Sequence, residues 1–140
     1  MVSAEKIARK FAALDDYLVV LRKLAQTPAE QIVEDKILIG SMRYYLQVSV
    51  ESCLDIANHI IASEKFRAPK DYADSFAVLQ EEKVIPPELS TRLRQMAKFR
   101  NRLVHLYGDI DDRKVHATIL ADLEDINIFK TLIMKRFLQS

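Results

Sequence analysis

The chain has 140 residues, with 21 Lys+Arg against 20 Asp+Glu and a formal net charge of +1. That length suits one domain of ordinary size, spanning 1–140, whose core needs no disulfide or metal staple. Near-neutral charge excludes a generic nucleic-acid coat protein, so any contact with nucleic acid must come from a local patch. Two glycines and four prolines among abundant Leu, Ala, Ile, Glu and Lys describe helices joined by short turns.

The single cysteine, Cys53, forms no intrachain disulfide and suits a reducing compartment. No His or Lys is patterned beside it as a base, so it reads as a core residue. The opening MVSAEKIARKF is charged early and lacks a signal peptide's apolar region. No apolar run approaches the roughly 20 residues that a membrane helix needs. The expectation is a cytoplasmic protein with no membrane association.

In chain order, the first helix starts after Ser3, a good N-cap, and runs to about Gln26. Its seam is Ile7, Phe11, Leu14, Leu18, Leu21 and Ala25, at steps of four and three. Thr27-Pro28-Ala29-Glu30 reads as a capping box that restarts a long second helix from Pro28 to about Ser63. That helix buries Ile39, Met42, Leu46, Ser49, Cys53, Ile56 and Ile60. Gly40 inside it marks either a close helix crossing or a tolerated defect costing about 1 kcal/mol. A short third helix follows Pro69, with Tyr72, Phe76 and Leu79 facing inward. The fourth runs from about Pro87 to Tyr107, with Gly108 as a left-handed stop. Asp111 or Asp112 caps the last helix, whose stripe is Val115, Ile119, Leu123, Ile126, Ile133 and Phe137. The predicted fold is all-α: a bundle of four main helices and one short one.

The fourth helix carries a residue that breaks its own pattern. Leu89, Leu93, Met96, Arg100, Leu103 and Tyr107 form the seam, so Arg100 occupies a core position. A guanidinium there must find a carboxylate, a phosphate or a dimer partner. A salt bridge to Asp55 of the second helix is the obvious structural answer. Around the same helix Arg94, Lys98, Asn101, Arg102 and His105 share one sector, and no acidic residue lies between Arg92 and Arg102. Such a stripe is what phosphodiester chemistry wants: cations for phosphates and an imidazole that moves a proton near neutral pH. It is equally what a solvated helix C-terminus looks like. Arg100 and His105 stand about 140° apart on an ideal helix, either flanking a cleft or meeting a second copy across a twofold axis. On the second helix, Tyr44, Gln47, Glu51, Asp55 and Asn58 form a polar ridge, from which Glu51 and Asp55 are supporting candidates. His59 and His116 are isolated. Metal-ligand spacing, a Gly-rich phosphate loop and a Ser-His-Asp arrangement are absent from the pattern, which favours metal-independent chemistry without a cofactor.

The stretch Phe99-Arg100-Asn101-Arg102-Leu103-Val104-His105-Leu106-Tyr107 resembles the R-x-x-x-x-H-x-Y signature of HEPN-domain toxins of the HepT type. The likeness extends to Asp55-Ile56-Ala57-Asn58-His59-Ile60 and to Asp111, Asp112 and Val115. The chain departs from many relatives at Gly108. The resemblance implies a homodimeric, metal-independent endoribonuclease acting on tRNA or mRNA. By it, Arg100, Asn101 and His105 are catalytic, and Arg94, Lys98 and Arg102 hold RNA. It further implies neutralisation by a minimal nucleotidyltransferase (MNT) antitoxin that adenylylates Tyr107. Two alternatives remain: a non-catalytic helical subunit of a nucleotidyltransferase, with Arg100 as a structural device, or a nucleotide-binding module using the same stripe.

Overall fold

A computed structural model describes residues 1–105 and 109–138. Leu106, Tyr107 and Gly108 lie outside the described residues, and with them the expectations placed on Tyr107 and on a glycine stop. Six α-helices follow one another: α1 (Ala4–Gln26), α2 (Ala29–Val33), α3 (Lys36–Ser63), α4 (Tyr72–Glu81), α5 (Pro87–His105) and α6 (Asp112–Ile133). A π-helical turn, Met134–Leu138, continues α6. Among the described residues there is no strand, and no helix is long and apolar enough to cross a membrane.

The all-α bundle is as expected. α1 packs on α3 and α6, while α4 and α5 form a hairpin that closes against α3. Every helix contributes to one apolar core, from Ile7, Leu14 and Leu18 on α1 to Ile119, Ile126 and Phe129 on α6. Phe129, absent from the predicted stripe, is fully buried and meets Phe76 edge to face at 5.8 Å. Cys53 is buried, and burial pushes its thiol up to about 12, so it is inert as a nucleophile. Ser3 caps α1 by accepting the Lys6 N–H at 3.2 Å.

The long second helix is in fact two helices. Asp35 accepts the Ile37 and Leu38 amides at 2.9 and 3.4 Å, so α3 starts on its own cap and α2 is a separate turn. Thr27 does not act as the N-cap. Its hydroxyl donates to the Lys23 carbonyl at 2.8 Å, and its amide closes α1. Glu30 pairs with Arg113 across the bundle, so the expected capping box does not form. Of the two aspartates proposed to cap the last helix, Asp111 does so, accepting the Arg113 amide at 3.1 Å. Asp112 is left to fork Arg43 of α3 at 2.8 and 2.7 Å. This half-buried pair fixes the start of α6 against α3.

Four inward expectations fall short, with Ala25 and Phe137 only partly buried. Ile39 is only partly buried, and Tyr72, at the first position of α4, is 50% exposed. Tyr72 opens α4 rather than continuing its apolar face, which Phe76 and Leu79 begin a turn later. Gly40 is exposed, with open space where a Cβ would stand; it is the tolerated defect and not a close crossing. Gly40→Ala should therefore raise stability by about 0.5–1 kcal/mol and the melting temperature by a few degrees, read by thermal melting.

Candidate active site

Arg100 projects from α5 into the crevice between α3 and α4. Its Nε and Nη2 both donate to Oε1 of Glu51 on α3, at 3.1 and 2.9 Å, and its Nη1 donates to Oδ1 of Asn101 at 3.1 Å. Gln47, one turn before Glu51, donates its amide to the same Oε1 at 2.9 Å. The guanidinium carbon lies 5.0 Å from the centre of the Tyr72 ring. The side chain of Arg100 is 15% exposed and that of Glu51 33%. Of the five guanidinium donors, three are engaged, which leaves one N–H on Nη1 and one on Nη2. An arginine so held has the plane of its guanidinium fixed.

The partner is Glu51, not Asp55. Asp55 stands one turn further along α3, exposed, where it meets Lys10 of α1 at 3.2 Å. The antiparallel register of α3 and α5 places position 51, not 55, opposite position 100. The polar ridge divides accordingly: Gln47 and Glu51 serve Arg100, whereas Asn58 accepts from Ser75 at 2.8 Å to pin α4. Tyr72 was not expected in this cluster. Its signal in the sequence was its place immediately after an Asp cap, where a helix has not yet buried its face.

His105 is exposed at the last described residue of α5. The chain has three histidines, and the other two are tied to backbone. Nε2 of His116 contacts the Leu24 and Thr27 carbonyls at 3.0 and 2.8 Å. His59 accepts the Ser3 amide at 3.0 Å, and burial holds it below its ordinary value. Asn101 lies between Arg100 and His105 around the helix and touches the former.

The basic stripe is less uniform than its sequence suggests. Arg92 pairs with the buried Asp125 at 2.8 Å. Arg94 is half-buried and bonds the Ser90 carbonyl and Thr91 hydroxyl of its own helix, each at 3.3 Å. Lys98 is exposed on the His105 sector. Arg102 is exposed and leans the other way, over the Phe99 ring and toward the Asp109 carbonyl. It borders a groove of about 530 Å³ between α5 and α6, floored by Asp122 and Asp125. Arg92 and Lys114 line the same groove. Among the described residues no group of His, Cys, Asp or Glu is arranged to hold a metal ion.

Burial, then the charge of Asp125, pushes Asp122 up to about 6, against a hydrogen bond from Thr118. The folded state thus binds a proton that the unfolded chain releases near pH 4, and stability falls as pH rises from about 4 through 6. Asp122→Asn should match the wild type below pH 4 and exceed it at pH 8 by on the order of 2 kcal/mol. Urea unfolding at the two pH values measures the difference.

Comparison with known proteins bears on this arrangement. The ribonuclease HepT-like family model matches residues 14–133. An mRNA nuclease HepT of Shewanella oneidensis is 34% identical over 103 residues, covering 74% of this chain and 77% of that protein. A tRNA nuclease HepT of Aphanizomenon flos-aquae is 28% identical over 119 residues, covering 84% and 69%. The fold matches a solved toxin–antitoxin structure with AMP-PNP at a TM-score of 0.86 and 29% identity, over 92% of this chain and 97% of that one. It also matches a tri-AMPylated Shewanella oneidensis HEPN toxin in complex with MNT antitoxin, at 0.85 and 29%, over 92% and 96%. The fold is that of a HEPN-type ribonuclease toxin. The chain belongs to the ribonuclease HepT-like family.

Proposed function

We propose that the chain cleaves cellular RNA without a metal, by attack of a ribose 2′-OH on the adjacent phosphorus. The observation that supports this best is the contrast among histidines: only His105 is exposed, and it shares a helix end with the one arginine clamped by Glu51. His105 takes the 2′-OH proton, and the 2′-oxygen bonds to phosphorus. The 5′-oxygen leaves and is reprotonated, giving a 2′,3′-cyclic phosphate and a 5′-hydroxyl. The two remaining N–H groups of Arg100 meet the charge that builds on the phosphoryl oxygens. Asn101 bridges from Arg100 toward the imidazole, and Lys98 and Arg94 attract the backbone. DNA lacks the nucleophile and is not a substrate.

The second part of the proposal concerns assembly and control. Two chains form a dimer across the motif helix, in the cytoplasm, and an MNT nucleotidyltransferase antitoxin neutralises them. The relatives seen as toxin–antitoxin complexes, one of them tri-AMPylated, support this partner and this chemistry. Tyr107, two residues past His105 in the motif, is the acceptor. AMP there adds bulk and a negative phosphodiester to the motif, so it displaces and repels RNA.

The reading fixes the outcome for the wild type and for each variant. His105→Ala abolishes cleavage and growth arrest with the melting temperature unchanged, and Arg100→Lys also fails because it loses the planar fork. Asp55→Ala keeps full activity, whereas Glu51→Ala loses at least tenfold and is destabilised by about 1–3 kcal/mol through the orphaned guanidinium. A fully toxic His105→Ala protein would sink the mechanism, and so would a strict requirement for Mg²⁺ in a cleavage assay with chelator. For control, co-expression with the antitoxin and ATP adds AMP-sized mass to Tyr107, read by mass spectrometry. Tyr107→Phe escapes silencing. An unmodified Tyr107 in a fully neutralised complex would leave occlusion alone as the mode of inhibition. Sedimentation at micromolar concentration reports the dimer.

A further inference from the structure

We propose that Tyr72 is a stacking platform for one unpaired nucleobase next to the cleaved linkage, which makes single-stranded RNA the substrate form. The inference rests on the assignment of Arg100 to the scissile phosphate. Tyr72 stands at the first position of α4, with the Arg100 guanidinium carbon 5.0 Å from its ring centre. It is 50% exposed, although a tyrosine beside a bundle core ordinarily buries its ring. Among the described aromatic pairs no second ring covers it. One face of the phenol thus serves the arginine while half of the residue stays open to solvent. A phosphate forked by Arg100 brings the base of an adjoining nucleotide to that open surface. Every base has a π-face, so stacking there is tolerant of sequence but demands that the base be unpaired.

The helix start that carries the ring is held in place. Asp71 caps α4 by accepting the Asp74 amide at 2.8 Å. The Asp74 carboxylate accepts from Arg67 at 2.7 Å and from the Lys70 amide at 2.9 Å, and Arg67 also bonds Glu81 at 2.9 Å. Arg67 holds Asp74 well below the usual carboxylate range, so the clamp is intact at any working pH. Ser75 on the next turn is pinned to Asn58 of α3. A preordered helix start lowers the entropy lost when a base settles on its ring. The cation on its far face polarises the stack further.

The test uses a short RNA spanning a linkage that the wild-type protein cuts in total bacterial RNA, with an abasic residue placed at each flanking nucleotide in turn. Tyr72→Ala should raise KM about tenfold on the intact RNA, the size of one base–aromatic stack, with kcat within threefold. Tyr72→Phe should stay within twofold of the wild type, while Tyr72→Leu should resemble Tyr72→Ala. One of the two abasic RNAs should cost the wild type a similar factor in KM and cost Tyr72→Ala nothing further. Thermal melts of the three variants check that α4 still folds. The proposal is overturned if the abasic and Tyr72→Ala losses multiply independently. A fall in kcat alone overturns it too, since that would make Tyr72 only a brace for Arg100, and so does unchanged cleavage by Tyr72→Ala. If the wild type cuts no RNA and Arg100→Ala changes nothing, the nuclease assignment itself fails, a different result from any of these.

Discussion

The candidate site is built on one ion pair, between Arg100 of α5 and Glu51 of α3. A guanidinium in a helix seam is costly unless its donors are met, and here one carboxylate oxygen accepts two of them while a second residue takes a third. The pair does not rank among the strong contributors to stability, since replacing such pairs with apolar residues often leaves a fold no weaker. Its effect is geometric. It fixes the register of α3 against α5, sets the plane of the guanidinium, and turns the two unengaged N–H groups away from the carboxylate. Gln47, bonded to the same oxygen, limits the freedom of Glu51 in turn. Phosphate arriving at this arginine finds a fork already aimed, with little reorganisation left to do.

The elements that depend on periodicity were legible in the sequence. The apolar seams of α1, α3 and α6 and the intrusion of Arg100 into that of α5 follow from counting by three and four. What failed depends on relations between elements. Asp55 and Glu51 lie on the same ridge, and only the offset between two antiparallel helices decides which of them faces Arg100. The break before α3 is hidden in the sequence because Asp35 sits in a run that reads as a continuous helix, and because Thr27 and Glu30 offer a better-looking cap. Both found other partners, the Lys23 carbonyl and Arg113. Tyr72 reads as a core residue in sequence because it is aromatic and one turn from Phe76. Phe129 lies on the same three-and-four count, between Ile126 and Ile133, and the predicted stripe steps over it.

Charge is the other property that the sequence presents in a misleading form. Counted along the helix, five cations from Arg92 to Arg102 look like one positive stripe. In the bundle two of the five face carboxylates, and Arg102 borders a groove with an acid floor. Of the five, Lys98 stands exposed on the sector of His105.

The separation of Arg100 from His105 then constrains how a substrate lies. Five residues apart on α5, the two differ by about 140° in direction and roughly 7.5 Å in height. One is sunk in a crevice and the other stands on an open face. A phosphodiester served by both must bridge that turn of helix, and the residue beneath the bridge is Asn101, already bonded to Arg100. The R-N-x-x-x-H spacing has a physical meaning on this view. The arginine takes the seam, where neighbouring helices can hold it still. The histidine takes the surface, where water and a ribose hydroxyl can reach it. The asparagine spans the angle that an α-helix imposes between them.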